Sequence, residues 1–271
     1  MIFKRIPLDE KYDNVFLDVY VADKTENFTR NAILVIPGGG YHKVCSDREG
    51  EPIAMAFMPY GYNAFVLSYS VSRQKTFPGQ LIEASLAMKH IKDHAEEYNI
   101  DPERVFVTGF SAGGHLAASL GTMWHIPEIY EAINMEYGYN KPAGMMLGYP
   151  VISGDPSFSH PGSFCNLLGT DEPTPEQLAR VSIENNVDEK SVPMYVMHTS
   201  NDGTVPVKNA LVIAEAYAKA GKTFELHIYP DAPHGIALGN AITGHANPIC
   251  INPCIEKWIE HAAKWAESLE F

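Results

Sequence analysis

The 271 residues are enough for one large sheet-centred core, and 45% hydrophobic with 20% charged residues is a globular rather than a disordered balance. Twenty Lys and Arg against 33 Asp and Glu leave a formal charge of −13, which argues against nucleic acid as a partner because phosphate neutralisation needs clustered cations. No window reaches the ~18 apolar residues of a membrane span, and charges throughout residues 1–13 leave no room for a signal peptide, so a cytoplasmic protein without a membrane partner is expected.

A single α/β domain over residues 1–271 is expected, because β-rich runs alternate with helical periodicity. Residues 15–22 alternate apolar and polar side chains and read as an antiparallel edge strand; 32–36 and 63–69 are apolar runs suited to buried parallel strands. Residues 80–98 place Leu81, Ala84, Met88, Ile91 and Ala95 at helical spacing before Asp101-Pro102. Strands are expected at 104–108, 144–151, 193–198 and 223–229, and helices at 112–124, 207–220 and 253–269, the last with Asn252 as its cap. Residues 124–141 and 153–191 resist regular assignment. They are expected to follow strands and to serve as lid or pocket wall, plain surface insertion being the alternative.

Residues 105–116, Val-Phe-Val-Thr-Gly-Phe-Ser-Ala-Gly-Gly-His-Leu, join a β-branched strand to an apolar helix through Gly-x-Ser-x-Gly. That context makes Ser111 a candidate nucleophile on a tight turn, with Gly109 and Gly113 removing side chains where the chain doubles back. Earlier, strand 32–36 runs into Pro37-Gly38-Gly39-Gly40-Tyr41, whose amides are free of side-chain obstruction. Gly39 and Gly40, with the amide of Ala112, are the candidate oxyanion hole. A phosphate-binding loop would need a Gly-x-x-x-x-Gly-Lys spacing that is not there.

A serine hydroxyl needs a histidine to take its proton and a carboxylate to orient that histidine. Asp202 lies in a loop directly after a strand, and His234 lies in the loop after the next strand, giving the order Ser, Asp, His. Asp155 and Asp231 are rival acids, and His115, one turn past the nucleophile, reads as a packed helical histidine. His90 and His94 stand one helical turn apart without the Glu of a zinc-protease motif. Cys250 and Cys254, near His245 and His261, lack paired Cys-x-x-Cys ligands. These two, Cys45 and Cys165 read as free thiols. No cofactor and no metal are expected.

Residues 37–41, 46–52 (Ser-Asp-Arg-Glu-Gly-Glu-Pro), 61–67 (Gly-Tyr-Asn-Ala-Phe-Val-Leu) and 109–116 resemble the α/β-hydrolase superfamily, in its bacterial acetylesterase and acetyl xylan esterase branch. Residues 251–253, Ile-Asn-Pro, are similar to that group as well. The resemblance spans essentially the whole chain and implies a serine carboxylesterase acting on short-acyl esters, plausibly of sugars or xylo-oligosaccharides. Pro37 stands where hormone-sensitive-lipase-like relatives have histidine. Tyr41 and Arg48 are candidate substrate contacts, although a salt bridge from Arg48 and Glu49 that only holds the loop fits as well. A small-molecule or oligosaccharide ester is the expected partner, and a homo-oligomer is compatible. A peptidase or lipase of the same fold, or a silent binding protein, are the other readings. The peptidase is disfavoured by the expectation that such enzymes carry a large extra domain, and the lipase by the weak apolarity of both lid segments.

Overall fold

Six mutually parallel strands set the frame of the computed structural model, which describes residues 1–244 and 248–270. In chain order the elements are β1 (Ile2–Pro7), β2 (Phe16–Val21), β3 (Arg30–Ile36), α1 (Ser46–Glu49), α2 (Glu51–Phe57), β4 (Tyr62–Ser68), α3 (Gly79–Asp93), α4 (Ala95–Tyr98), β5 (Ile100–Phe110), α5 (Ser111–Met123), α6 (Pro127–Ala132) and β6 (Met145–Gly148). They continue through α7 (Pro161–Leu168), α8 (Pro175–Val181), β7 (Met194–Thr199), α9 (Lys208–Lys219), β8 (Phe224–Tyr229), α10 (Ala241–Gly244) and α11 (Trp258–Glu267). The sheet order is β1-β2-β4-β3-β5-β6-β7-β8, and β2 is antiparallel to both of its neighbours.

Period-two alternation divides the core between the two faces of the sheet. Leu34, Val107, Leu147 and Val196 pack on one side with Met88, Leu116 and Ile213. Their sequence neighbours Ile33, Phe106, Met146 and Tyr195 pack on the other with Phe57, Trp258 and Ile259. Both faces are therefore covered by helices, which is why the central strands are apolar without interruption.

Several expectations are corrected. Strand β2 is antiparallel as expected but is not the edge, because β1, with its half-exposed pattern, pairs outside it. The 80–98 helix breaks at His94 into α3 and α4, and Asn99 closes it in a left-handed conformation. The last helix starts at Trp258 rather than 253, since Asn252 caps only the preceding turn through the Cys254 amide, at 3.0 Å. Residues 124–141 contain α6 and follow helix α5, not a strand. Thirteen residues of α5 put them roughly 20 Å from Ser111, where Asn140 donates to Ser85 and to the Trp124 carbonyl. They form no wall near Ser111.

His90 and His94 stack at 4.1 Å, with His90 against the Tyr98 hydroxyl and His94 on the His90 carbonyl, so both rings serve local packing. All four cysteines are free. His245, considered above beside Cys250, lies outside the described residues. No helix of the described residues is long and apolar enough to cross a membrane.

Two buried histidines make stability depend on pH. Burial lowers both His115 and His198 to about 4, so below the unfolded value near 6.5 the unfolded chain takes up protons that the folded chain refuses. Stability is therefore full above pH 6.5 and falls as pH drops toward 4. Going from pH 7 to 5 is expected to cost about 2 kcal/mol per histidine. Urea unfolding at both pH values checks this, with His115→Gln making the dependence shallower by that amount.

Candidate active site

Because β3, β5, β6, β7 and β8 are parallel, the loops that leave them open on one edge of the sheet, where α/β folds place their ligands. The first residue past β5 is Ser111, with φ at +52°, followed at once by α5. A left-handed conformation is unfavourable for a residue with a Cβ and turns the side chain out over the strand ends. A Cβ on Gly109 would collide with the Gly113 carbonyl, and one on Gly113 with the carbonyls of Ile36 and Pro37. Glycine at both positions is what lets strand, helix and oxyanion loop meet.

Ser111 Oγ lies 2.8 Å from His234 Nε2, and His234 Nδ1 lies 2.7 Å from Asp202 Oδ2. The other Asp202 oxygen accepts from the amides of Thr204 and Val205, each at 2.9 Å. Burial pushes the Asp202 carboxyl up, but the hydrogen bond and charge of His234, with those two amides, outweigh it and hold it below the usual range. The carboxylate stays ionised, so the imidazole proton is kept on Nδ1 and Nε2 is left to accept from serine. The loops carrying Asp202 and His234 are stitched together, Thr199 Oγ1 donating to the Ala232 carbonyl and the Ala232 amide to Asn201 Oδ1. The rival acids are elsewhere: Asp155 accepts from Ser157, and Asp231 from Asn201.

Gly38 sits directly against the serine, since a Cβ there would be 2.9 Å from that of Ser111. Gly39 and Gly40 both have positive φ, at 130° and 66°. Among the described residues neither amide donates a hydrogen bond. Ala112 is the second residue of α5, so its amide is among those without an intrahelical acceptor. Ala112 follows the serine in the chain and Gly38 packs against it, so the start of α5 and the glycine loop both border Ser111.

The support of this loop was the part least visible in the sequence. Glu49 is buried and accepts from the Gly38 amide at 2.8 Å and from the Tyr149 hydroxyl at 2.8 Å. The Tyr149 oxygen in turn accepts from the Ala237 amide at 3.0 Å, and its ring packs edge-on to His234 with centroids 5.1 Å apart. Tyr69 donates to the Pro37 carbonyl at 2.8 Å. Glu49 and Tyr149 thus tie the glycine loop to the loop of His234, and nothing in their spacing announces it.

Arg48 lies 3.7 Å from Glu49 and against Gly235, whose missing Cβ would be 3.1 Å from the guanidinium. That is the salt bridge weighed above, and the half-exposed Arg48 side chain is also open to solvent. Tyr41 is corrected as a substrate contact: it is buried, and its hydroxyl donates to His115 Nδ1 at 2.8 Å. His115 Nε2 donates to the Val181 carbonyl at 2.8 Å, so the ring is a packed, neutral link between oxyanion loop and α8.

The sequence missed one further group. Residues 153–191 fold into α7 and α8, and Asn166 of α7 donates to the Gly40 carbonyl at 2.9 Å. His160, at the N-terminus of α7, faces Gly40 from the same side.

Comparison with known proteins agrees with this geometry. The BD-FAE family model matches residues 17–145, and the model of the prolyl oligopeptidase family matches residues 86–247. Endo-1,4-beta-xylanase B of Butyrivibrio fibrisolvens is 36% identical over 79% of this chain, and the acetylxylan esterase of Xylanibacter ruminicola is 32% identical over 81%. The chain spans only 34% and 44% of the lengths of those two relatives. The crystal structure of an acetyl ester-xyloside bifunctional hydrolase from Caldicellulosiruptor lactoaceticus superposes with a TM-score of 0.82 at 34% identity, covering 98% of this chain and 96% of that one. By its fold and by these matches, the chain belongs to the α/β-hydrolase superfamily and to the prolyl oligopeptidase family, and it is similar to an acetylxylan esterase and an acetyl ester-xyloside hydrolase.

Proposed function

We propose that the chain is a serine carboxylesterase that removes short acyl groups, acetyl above all, from sugars or small oligosaccharides, with Ser111, His234 and Asp202 as its triad. The observation that carries the reading is the continuous line of hydrogen bonds from Ser111 Oγ through His234 to Asp202, at 2.8 and 2.7 Å. The likeness to an acetylxylan esterase and to an acetyl ester-xyloside hydrolase supports the substrate class.

In this mechanism Ser111 Oγ attacks the ester carbonyl while His234 Nε2 takes its proton. The carbonyl oxygen becomes an oxyanion held by the amides of Gly39, Gly40 and Ala112, and Asp202 stabilises the imidazolium. Collapse of the intermediate breaks the bond to the alcohol, which leaves with the proton from His234. Water then attacks the acyl-serine, giving its proton to His234, and the acid departs as Ser111 recovers that proton. The single domain and the wall formed by residues 153–191 belong to the same proposal, α7 standing on the oxyanion loop through Asn166.

Amide hydrolysis is a second reading, favoured by the match to the prolyl oligopeptidase family. Activity on aminoacyl-4-nitroanilides exceeding that on acetate esters would select it. Under the esterase reading a fluorophosphonate probe labels the wild type at Ser111, and Ser111→Ala lowers kcat for 4-nitrophenyl acetate by at least ~10³-fold. Retention of most activity by that variant removes Ser111 from its role. Tyr149→Phe leaves Glu49 and the Ala237 amide without their shared partner in a buried site, which is expected to cost about 1–3 kcal/mol in urea unfolding.

A further inference from the structure

We propose that His160 sets specificity for the alcohol half of the substrate, its Nε2 binding a hydroxyl on the carbon next to the ester being cut. The inference rests on the esterase reading above and deepens it.

His160 immediately precedes α7, which rests on the oxyanion loop. Asn166 grips the Gly40 carbonyl at 2.9 Å. A Cβ built on Gly40 would be 3.9 Å from both the His160 ring and Ser163 Oγ. The charges of His234 and Asp202 also act on the ring. It therefore lies beside the loop that would hold the oxyanion, within electrostatic reach of the imidazole that must protonate the departing alcohol. The alcohol must approach that imidazole, since its oxygen receives its proton from His234, and the proposal sets it beside the His160 ring.

The ring's chemistry suits a hydroxyl. His160 Nδ1 is 2.8 Å from the buried Ser163 hydroxyl, and Nε2 has no hydrogen-bond partner among the described residues. Burial, with the nearby His234, favours the neutral imidazole. One ring nitrogen then donates and the other accepts, and the Ser163 hydroxyl decides which by turning its proton. Whichever state results, a sugar hydroxyl complements Nε2, because it both donates and accepts. An unsubstituted alkyl or aryl alcohol offers Nε2 nothing. The His160 side chain caps no amide of α7 and meets the first turn through the Ser163 hydroxyl alone.

The test compares trans-2-hydroxycyclohexyl acetate with cyclohexyl acetate, which differ by the neighbouring hydroxyl alone. The wild type is expected to prefer the hydroxy ester by about tenfold in kcat/KM, mainly through KM, as one hydrogen bond in a closed site provides. His160→Phe should bring the ratio of the two esters to near one. His160→Gln, whose amide reaches the position of Nε2, should recover part of the preference. A wild-type ratio near one, or a His160→Phe loss shared equally by both esters, overturns the role of His160 even though hydrolysis itself stands. Failure of the wild type on every acetate ester instead overturns the esterase reading. Because the wild-type ratio is measured on its own, the inference remains open to refutation if a variant does not fold.

Discussion

The left-handed backbone of Ser111 is the constraint around which the rest of the site is arranged. A residue with a Cβ occupies that conformation only when its surroundings hold it there. Here a long parallel strand enters the turn, a helix leaves it, and the two approach so closely that glycine is required at positions 109 and 113. The same close approach brings the Gly38 loop against the serine and sets the first amides of α5 beside it. The position of Ser111 and the approach of the glycine loop to it are thus one geometric fact.

A second constraint is electrostatic. Glu49 is a carboxylate in the interior, and burying a charge is costly unless its oxygens are satisfied. Its partners are the Gly38 amide, the Tyr149 hydroxyl and, at longer range, Arg48. What offsets the burial also joins two loops that must keep a fixed distance, the one with the oxyanion amides and the one with His234. Tyr149 completes the connection through the Ala237 amide. The site is rigid for a reason that involves none of the three residues that would react.

Residues 153–191 carry no clear periodicity. Their short helices are held by side chains that reach back to the centre, Asn166 to Gly40 and His115 to Val181. This explains why a histidine one turn beyond Ser111 is buried and neutral, and why His160 comes to stand beside Gly40. Residues 124–141 were equally irregular but lie at the far end of α5, since a helix carries the chain away from the strand ends.

The sequence alone determined what depends on local pattern. The central strands were readable from apolar runs, the serine turn from its flanking glycines, and the order of Ser111, Asp202 and His234 from the loops after successive strands, because parallel strands force those loops to one edge. The choice of Asp202 over Asp155 and Asp231 rested on loop position, and the hydrogen bond to His234 now supports it geometrically. Only the tertiary structure decided the outer β1 strand, the burial of Tyr41, the brace of Glu49 with Tyr149, and the place of His160. Each is a contact between residues distant in the chain, or a question of which side of an element faces solvent, and no spacing along a sequence encodes those distances.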